Sequence, residues 1–503
     1  MIELDGESLT LEQLRAVAWE DEMAILAAPA RRRVAESRAV IERAIDGGSA
    51  VYGVNTGFGN LANVRIPIEQ LSELQTRLLL SHAAGMGEPL PRSAVRAMLL
   101  LRANTLARGR SGIRVETLEA LLELLRHDML PVVPSRGSVG ASGDLAPLAH
   151  LALPLLGHGR ARIGGEDLPG GEALARCGLA PIRLGPKEGL ALVNGTQAMT
   201  ALLALAVLEA RRLVKLADLV GAMSTDALRG TDAAFDRRIH AARPHPGQMT
   251  SAANLWRLIQ GSAIRGSHRD GDVRVQDPYS IRCMPQVHGA VRDVLADVER
   301  KLTVEMNAAT DNPLVFAEES EILSGGNFHG VPMAFAADFL AISLCDLASI
   351  AERRIEKLTN SAFSGLPPFL VEDAGLNSGF MMAQVTAAAL VAENKVLAHP
   401  ASVDSIPTSA DKEDHVSMGM GAALKLQQVV VNVRRVLAIE LLAAAQGIDL
   451  LRPLRSSSAL EELHTEVRRS VSAWDRDREM SADLQVAEAL LETRLDRHLE
   501  SLA

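Results

Sequence analysis

Four long stretches with helical apolar spacing constrain this chain more than any other feature of its sequence. They run over residues 286–307, 331–358, 380–398 and 415–445. Each is longer than a typical globular helix and poor in internal glycine and proline, so we predict long helices packed side by side. Their faces are too apolar for one chain to cover, which predicts a homo-oligomer built on a helical bundle. Strand signal is confined to two short pieces, 314–316 and 322–323.

Composition and charge exclude several classes of protein. Of the 503 residues, 48% are hydrophobic and 23% are charged, as in ordinary packed globular chains. The formal net charge of −10 has the wrong sign for a protein that binds nucleic acid. The uncharged runs 189–208 and 374–392 contain amides and hydroxyls, so we interpret them as buried helices and expect no membrane partner.

Cysteine and histidine spacing bears on compartment and metal. The three cysteines are too few and too scattered for a disulfide framework or a zinc cluster, and residues 1–10 do not resemble a secretory signal. We therefore predict a cytoplasmic protein. No His-x-x-x-His or paired-cysteine spacing occurs, so no metal is expected.

Tyrosine occurs only twice, and both tyrosines lie in segments that break the helical pattern. Tyr52 lies in a Gly- and Asn-rich segment, and Tyr279 lies in Gln276 to Arg282. Neither is on an apolar helix face, which favours a functional role. The alternative is a tyrosine whose hydroxyl anchors a turn.

The most informative segment is Ser135 to His150, in which Gly137, Gly140 and Gly143 recur every three residues. A phosphate-binding loop is one interpretation, but the Gly-Lys-Ser/Thr ending is missing. A plain tight turn is the second. The third uses the tripeptide Ala141-Ser142-Gly143. If the backbone bends sharply, the Gly143 nitrogen can attack the Ala141 carbonyl, and loss of two waters gives an electrophilic 4-methylidene-imidazol-5-one.

The flanks of this tripeptide resemble the signature of the aromatic amino acid ammonia-lyase family, whose members act on histidine, phenylalanine or tyrosine. Further segments resemble the same family in the same order. They lie at residues 52–59, 81–85, 193–197, 276–282, 324–329 and 407–415. The resemblance implies a mainly α fold of the fumarase/aspartase type, in which long helices form the centre of a homotetramer. We expect one ammonia-lyase chain, with an N-terminal region of about 1–190 carrying the electrophile loop and a helical bundle over 191–503.

The resemblance also implies roles for individual side chains. Ala141, Ser142 and Gly143 would form the electrophile, so no external cofactor is expected. Tyr52 would remove the β-proton of the amino acid, which requires an environment that stabilises phenolate. The remaining polar residues would bind the substrate carboxylate or the ring oxygen of the electrophile. They are Asn194, Gln276, Tyr279 and Arg282, of which Arg282 would be the carboxylate clamp.

Ser81-His82 and Glu413 bear on the substrate. In this family the position of His82 lies against the substrate side chain, and a Ser-His pair is typical of histidine-specific members. Glu413 can hydrogen-bond an imidazole N–H, although Glu413 to His415 could instead be the acidic first turn of the next helix. Phe328 would pack on the substrate ring. The expected reaction is deamination of L-histidine to trans-urocanate and ammonia. The alternatives are a tyrosine or phenylalanine ammonia-lyase and a 2,3-aminomutase.

Two residues depart from the histidine-specific pattern. Asp411-Lys412 stands where an Asn-Gln pair is more usual, and His288 stands where Met is usual. Either could change the charge of the site. If Lys412 points toward Glu413, the carboxylate would be paired and its pKa lowered.

Overall fold

The computed structural model describes residues 1–47, 51–57, 59, 63–272 and 274–503. It confirms the mainly α fold. The α-helices of the described part are α1 (Leu11–Trp19), α2 (Ala28–Asp46), α3 (Leu71–His82), α4 (Arg92–Ala107), α5 (Val115–Arg126), α6 (Leu145–Ala152), α7 (Gly170–Arg176), α8 (Glu188–Val193), α9 (Gln197–Ala227), α10 (Arg237–Ala241), α11 (Pro246–Ile259), α12 (Ala263–Gly266), α13 (Tyr279–Arg282), α14 (Met284–Met306), α15 (Val331–Thr359), α16 (Ser361–Ser364), α17 (Met381–Leu397), α18 (Gly419–Leu450), α19 (Ser458–Ser470), α20 (Met480–Thr493) and α21 (Asp496–Glu500).

The strands are short and form small separate sheets. They are β1 (Ile2–Leu4), β2 (Ala24–Leu26), β3 (Met86–Pro89), β4 (Leu130–Pro131), β5 (Pro134–Arg136), β6 (Arg160–Ile163), β7 (Glu166–Pro169), β8 (Leu314–Phe316) and β9 (Glu321–Leu323). The β1–β2 pair is parallel, whereas β3–β5, β4–β6–β7 and β8–β9 are antiparallel. The two strand pieces predicted from the sequence are confirmed as β8 and β9.

Three of the four predicted long helices are confirmed as α14, α15 and α17, each within two residues of its expected bounds. The fourth begins later than predicted, at Gly419, because Met418 has a φ of +57° in the left-handed region that a helix cannot include. The backbone N–H of Met418 instead donates to the Val139 oxygen at 2.8 Å. Residues 415–418 therefore lie outside α18.

The chain divides into two compact units. Unit 1 comprises Met1–Leu208, Glu299–Asp338 and Pro400–Leu424. Its core contains α4, on which every residue from Ala94 to Leu106 is buried. Such a helix has no solvent-facing stripe, so its polar side chains must find partners inside the protein.

Unit 2 comprises Glu209–Val298, Phe339–His399 and Lys425–Ala503. It contains a fully buried ion pair in which the Arg354 guanidinium bonds both oxygens of Glu440, at 2.6 and 3.0 Å. Two-point bonding of this kind compensates part of the desolvation of both charges.

One helix of the described part, α15, is long and apolar enough to cross a membrane by length and composition alone. It has 29 residues, and 56% of its most apolar window is buried inside the protein. Core helices of globular proteins have the same properties.

Candidate active site

A cavity of about 1080 Å³ lies in unit 1. Seven of the residues predicted from the sequence line it, namely Tyr52, His82, Ala141, Ser142, Asn194, Phe328 and Glu413. They come from segments far apart in the chain, so the fold brings together what the motifs only suggested. The lining is mixed, because Leu74, Leu78, Leu190 and Val193 also contribute to it.

The predicted electrophile loop, by which we mean residues 138–144, is sharply bent. Ser142 has a φ of +51° and Gly143 a φ of +75°. Positive φ is unfavourable for a serine, so the surrounding structure must hold this conformation. A Cβ at Gly143 would lie 2.2 Å from the Gly195 oxygen, so only glycine fits there. The backbone N–H of Asp144 donates to the same Gly195 oxygen at 2.7 Å.

Two polar side chains hold Ser142. The Asn194 amide donates to the Ser142 carbonyl oxygen at 2.8 Å, and the Ser142 hydroxyl donates to Glu413 Oε1 at 2.8 Å. Asn194 follows the last residue of α8, where its side chain can reach the electrophile loop. Both ends of Ser142 are therefore held by residues that the sequence motifs predicted.

Asp144 lies directly after the tripeptide and is fully buried. It accepts hydrogen bonds from the Ser138 hydroxyl at 2.9 Å and from the Met199 backbone at 2.8 Å. Burial raises the pKa of this carboxyl to about 6, although the two hydrogen bonds lower it. Through its bond to Met199, Asp144 links the loop to α9.

Tyr52 lies in a turn and is half-buried. The backbone N–H of Gly59 donates to its phenol oxygen at 3.3 Å. Phe58, which belongs to the same sequence motif, lies outside the described residues.

His82 is the last residue of α3. Burial lowers the pKa of its imidazole, opposed by a backbone hydrogen bond and by the charge of Glu413. The Ser81 hydroxyl lies 3.0 Å from His82 Nδ1 and also donates to the Leu78 oxygen at 3.0 Å. Because a hydroxyl has one hydrogen, this arrangement makes Nδ1–H the donor to Ser81 and leaves Nε2 as an acceptor.

Glu413 is held by its own segment as well as by Ser142. Thr408 donates its hydroxyl to Glu413 Oε2 at 2.8 Å, and the two residues form an isolated β-bridge. The intervening turn contains three consecutive residues with positive φ, Ser409 to Asp411. Glu413 precedes α18 by several residues, so its interpretation as part of that helix's first turn is wrong.

The two departures from the family pattern lie in different places. Lys412 is exposed and lines the cavity, while the two Glu413 oxygens accept from the Ser142 and Thr408 hydroxyls. His288 is fully buried on α14 in unit 2, where its Nδ1 lies 2.8 Å from Asp218. Burial lowers the pKa of the His288 imidazole.

Gln276, Tyr279 and Arg282 belong to unit 2, whereas the described lining of the cavity belongs to unit 1. Tyr279 is 69% exposed, and Gln276 is exposed as well. The Arg282 guanidinium lies 4.5 Å from the centre of the Tyr279 ring, and its Nε donates to the Asp277 oxygen at 3.0 Å. Within one chain, the predicted carboxylate clamp therefore does not line the cavity.

The sequence interpretation missed several residues at the site. Leu74 and Leu78 lie eight and four residues before His82, so the helical period could have predicted that they share its face. Thr408 lay in one of the predicted motifs, but the sequence assigned it no role. Arg102, which is fully buried on α4 and bonds the Asn194 carbonyl at 3.0 Å, had no sequence signal.

Comparisons with known proteins find relatives that match nearly the whole chain. The family described as aromatic amino acid lyase matches residues 9–469. A histidine ammonia-lyase of Anaeromyxobacter sp. (strain K) is 58% identical, covering 97% of this chain and 98% of the relative. The crystal structure of histidine ammonia-lyase from Trypanosoma cruzi is 46% identical, with a TM-score of 0.92 over 99% of this chain and 95% of that one. The crystal structure of tyrosine aminomutase from Streptomyces globisporus is 39% identical, with a TM-score of 0.94 over 100% and 99%. The chain belongs to the aromatic amino acid lyase family.

Proposed function

We propose that this enzyme is a histidine ammonia-lyase, which converts L-histidine to trans-urocanate and ammonia. The observation that carries the proposal is that His82, Glu413 and the bent Ala141 to Gly143 loop line or border one cavity. Relatives named histidine ammonia-lyase at 50–58% identity over nearly the whole chain support it.

The residues around Ser142 fit a 4-methylidene-imidazol-5-one made from Ala141, Ser142 and Gly143. Closure of that ring needs a tight backbone and no side chain at Gly143, and both conditions hold here. The group would supply an electrophilic carbon for the amine and a ring oxygen, the Ser142 carbonyl oxygen, on which negative charge could develop. Asn194 already donates to that oxygen, so its amide would stabilise the charge.

Tyr52 is the proposed base for the β-proton. Its phenol lines the same cavity as Ser142, and the phenol oxygen accepts a hydrogen bond from the Gly59 N–H. A base on one side of the substrate and an electron acceptor on the other together meet the two demands of the elimination, a weakly acidic hydrogen and a poor leaving group.

Recognition of the imidazole is assigned to His82 and Glu413. His82 Nε2 would accept from one substrate N–H, and the Glu413 carboxylate would accept from the same ring's other nitrogen when it carries hydrogen. Phe328 is half-buried in the cavity wall and would pack on the ring. Neither Glu413 nor a neutral His82 would favour a phenyl ring over imidazole.

We further propose a cytoplasmic homotetramer in which Gln276, Tyr279 and Arg282 complete the cavity of another subunit. Unit 2 exposes large apolar side chains, including Phe339, Met382, Val385 and Val396. Such an apolar surface is typical of subunit interfaces. This arrangement would bring the Arg282 clamp to the substrate carboxylate. The division into a region of about 1–190 and a bundle over 191–503 stays a prediction.

A second candidate is a 2,3-aminomutase or a lyase for tyrosine or phenylalanine. The similarity to tyrosine aminomutase at 39% identity favours keeping it. The same electrophile serves both reactions, so the residues around the substrate side chain must discriminate between them.

The test is product formation on L-histidine, L-tyrosine and L-phenylalanine in parallel, with Ser142→Ala as the control. Urocanate from histidine alone, absent in the control, is the expected result. A preference for tyrosine or phenylalanine, or a β-amino acid product, would replace the proposal with the second candidate. Activity that survives Ser142→Ala would contradict the electrophile.

A further inference from the structure

Arg102 is a fully buried arginine on α4. One of its nitrogens, Nη1, donates to the Asn194 carbonyl oxygen at 3.0 Å and to Gln197 Oε1 at 2.6 Å. The other, Nη2, donates to the Ala191 carbonyl oxygen. A single guanidinium thus bonds one oxygen in α8, one in the short connection that follows it, and one on the first residue of α9.

This connection is bonded in turn to the electrophile loop at two points. The Asn194 side chain donates to the Ser142 oxygen, and the Gly195 oxygen accepts from the Asp144 N–H. Arg102 therefore holds, from the interior of unit 1, the turn that places a hydrogen-bond donor on Ser142.

The packing around the turn leaves little room for another arrangement. A Cβ at Gly195 would lie 2.4 Å from Arg102 Nη1 and 2.4 Å from Gln197 Oε1. The Gln197 amide is itself fixed, because it donates to the Thr105 hydroxyl at 3.0 Å and to the Thr310 hydroxyl at 2.8 Å. The guanidinium is an integral part of the turn.

The charge of Arg102 is also unusual. Its guanidinium bonds are to neutral oxygens, and burial lowers its pKa to about 10, opposed by the charge of Asp311. Asp311 itself accepts a hydrogen bond from Lys187 Nζ at 2.7 Å, and both side chains are fully buried. A pKa of about 10 leaves Arg102 cationic at neutral pH, next to the residue whose amide bonds the Ser142 oxygen.

We propose that Arg102 is a positioning residue for the deamination: it fixes the Asn194 to Gln197 turn so that the Asn194 amide stabilises negative charge on the Ser142 oxygen. The inference rests on the proposed function, because that charge arises only if the electrophile forms. It concerns a side chain that lies behind the cavity wall and bonds the backbone of a wall residue.

The test compares Arg102→Lys and Arg102→Met with the matched control Arg96→Lys in the full-length oligomer. Arg96 lies on the same helix, is also buried, and bonds the Val17 carbonyl oxygen at 2.7 Å and Asp128 at 2.8 Å, remote from the Asn194 turn. Lysine at 102 keeps the charge but cannot bond three oxygens in a plane. Each variant is measured for intact mass, kcat, KM, and the rate at which 2-mercaptoethanol adds to the electrophile, followed by mass.

We expect Arg102→Lys to keep the mass deficit of two waters and the parent KM, whereas kcat and the thiol addition rate fall on the order of 10-fold to 100-fold. Arg102→Met falls further, so that lysine rescues part of the loss, and Arg96→Lys matches the parent in both rates. Loss of the mass deficit in a folded Arg102→Lys chain would overturn the inference as stated, because the role of Arg102 would then be in forming the electrophile and not in the deamination.

Parent values of kcat and thiol addition in Arg102→Lys would overturn the inference. Failure of Arg102→Lys to fold, while Arg96→Lys folds, would overturn it too, because the role would then be in folding alone. A parent chain without the mass deficit and without turnover would refute the proposed function itself, which is a distinguishable result.

Discussion

The two tyrosines of this chain have similar sequence surroundings and different places in the structure. Tyr52 lines the cavity of unit 1 beside Ser142, whereas Tyr279 is 69% exposed on unit 2 with Arg282 against its ring. Both lie in segments that resemble the same family. A shared family motif therefore does not by itself predict that two residues lie in the same cavity of one chain. We propose that association of subunits brings Tyr52 and Tyr279 into one site.

The largest effect is expected from Tyr52→Phe. Removing the base should lower kcat by roughly 10² to 10⁴-fold, because a positioned general base contributes about that factor. Near-ultraviolet formation of urocanate measures it. The variant should keep the mass deficit of two waters, since Tyr52 is separate from the tripeptide. Parent activity in this variant would assign the proton transfer to another group.

Tyr279→Phe should also lower kcat, by about 10² to 10³-fold, if its hydroxyl reaches the site of another subunit. If Tyr279 is only an exposed side chain without a catalytic role, the variant should keep the parent kcat. Mixing the two variants tests whether one site takes its two tyrosines from different chains. Random reassembly of Tyr52→Phe with Tyr279→Phe chains would restore about a quarter of the sites, because each intact site takes one tyrosine from each kind of chain.

Mixed assemblies that remain inactive, while mixtures of parent and Tyr52→Phe chains keep proportionate activity, would contradict this arrangement. They would mean that both tyrosines act within one chain. The necessary control is that each variant alone forms an oligomer of the parent size.

Arg282→Lys tests the arginine that lies against the Tyr279 ring in unit 2. Lysine keeps the charge but replaces two parallel hydrogen bonds by a point contact, so kcat/KM should fall about 10-fold to 100-fold, the equivalent of one charged hydrogen bond. Steady-state kinetics on L-histidine give the value. Unchanged kinetics would leave Arg282 as a surface partner of Tyr279.

His82→Phe tests the cavity side of the comparison through specificity. Replacing the acceptor with a phenyl ring should lower kcat/KM on histidine roughly tenfold and raise it on phenylalanine. Ratios of kcat/KM for the two substrates measure the change. If the ratio stays constant, the selector role belongs to Glu413 or Lys412 instead.

The smallest effect concerns pH and two buried carboxyls, Asp144 in unit 1 and Asp226 in unit 2. Burial raises the pKa of each to about 6 from 3.8. Between about pH 4 and pH 6 these carboxyls are ionised in the unfolded chain but still protonated in the folded one. The free energy of unfolding should therefore fall as pH rises through this range, by up to about 3 kcal/mol per group. The variants Asp144→Asn and Asp226→Asn should each lose their carboxyl's share of this pH dependence, which is measured as the thermal midpoint against pH. Only Asp144→Asn should also lower kcat, by a few-fold.

If the thermal midpoints of the parent and of both Asn variants change in parallel with pH, folding does not raise the pKa of either carboxyl. A loss of kcat in Asp226→Asn equal to that in Asp144→Asn would remove the distinction between the cavity loop and unit 2.

The long helices and the cavity motifs could be predicted from the sequence for different physical reasons. Helices α14, α15 and α17 carry uninterrupted helical periods, so their bounds followed within two residues. Ser142, Asn194 and Glu413 followed from a family pattern, and the structure brings them into hydrogen-bond contact.

The rest depends on tertiary structure, which local patterns do not encode. Gly419 begins α18 because Met418 bonds the electrophile loop in a left-handed conformation. Arg102 has no sequence signature, since its partners are two backbone oxygens and one amide oxygen of residues about 90 positions away in the chain. The proposed roles of Tyr279 and Arg282 depend on contacts between subunits, which the pattern of one chain does not encode.

The intact mass of the purified chain, measured beside that of Ser142→Ala, tests whether the tripeptide forms the electrophile. We predict that the parent is lighter than its sequence by two water molecules. Ser142→Ala, which lacks the hydroxyl that leaves, should regain the water of that side chain and lose urocanate formation. A parent chain of full sequence mass that still deaminates histidine would contradict the proposed electrophile, because the electron acceptor would then be something other than the Ala141-Ser142-Gly143 tripeptide.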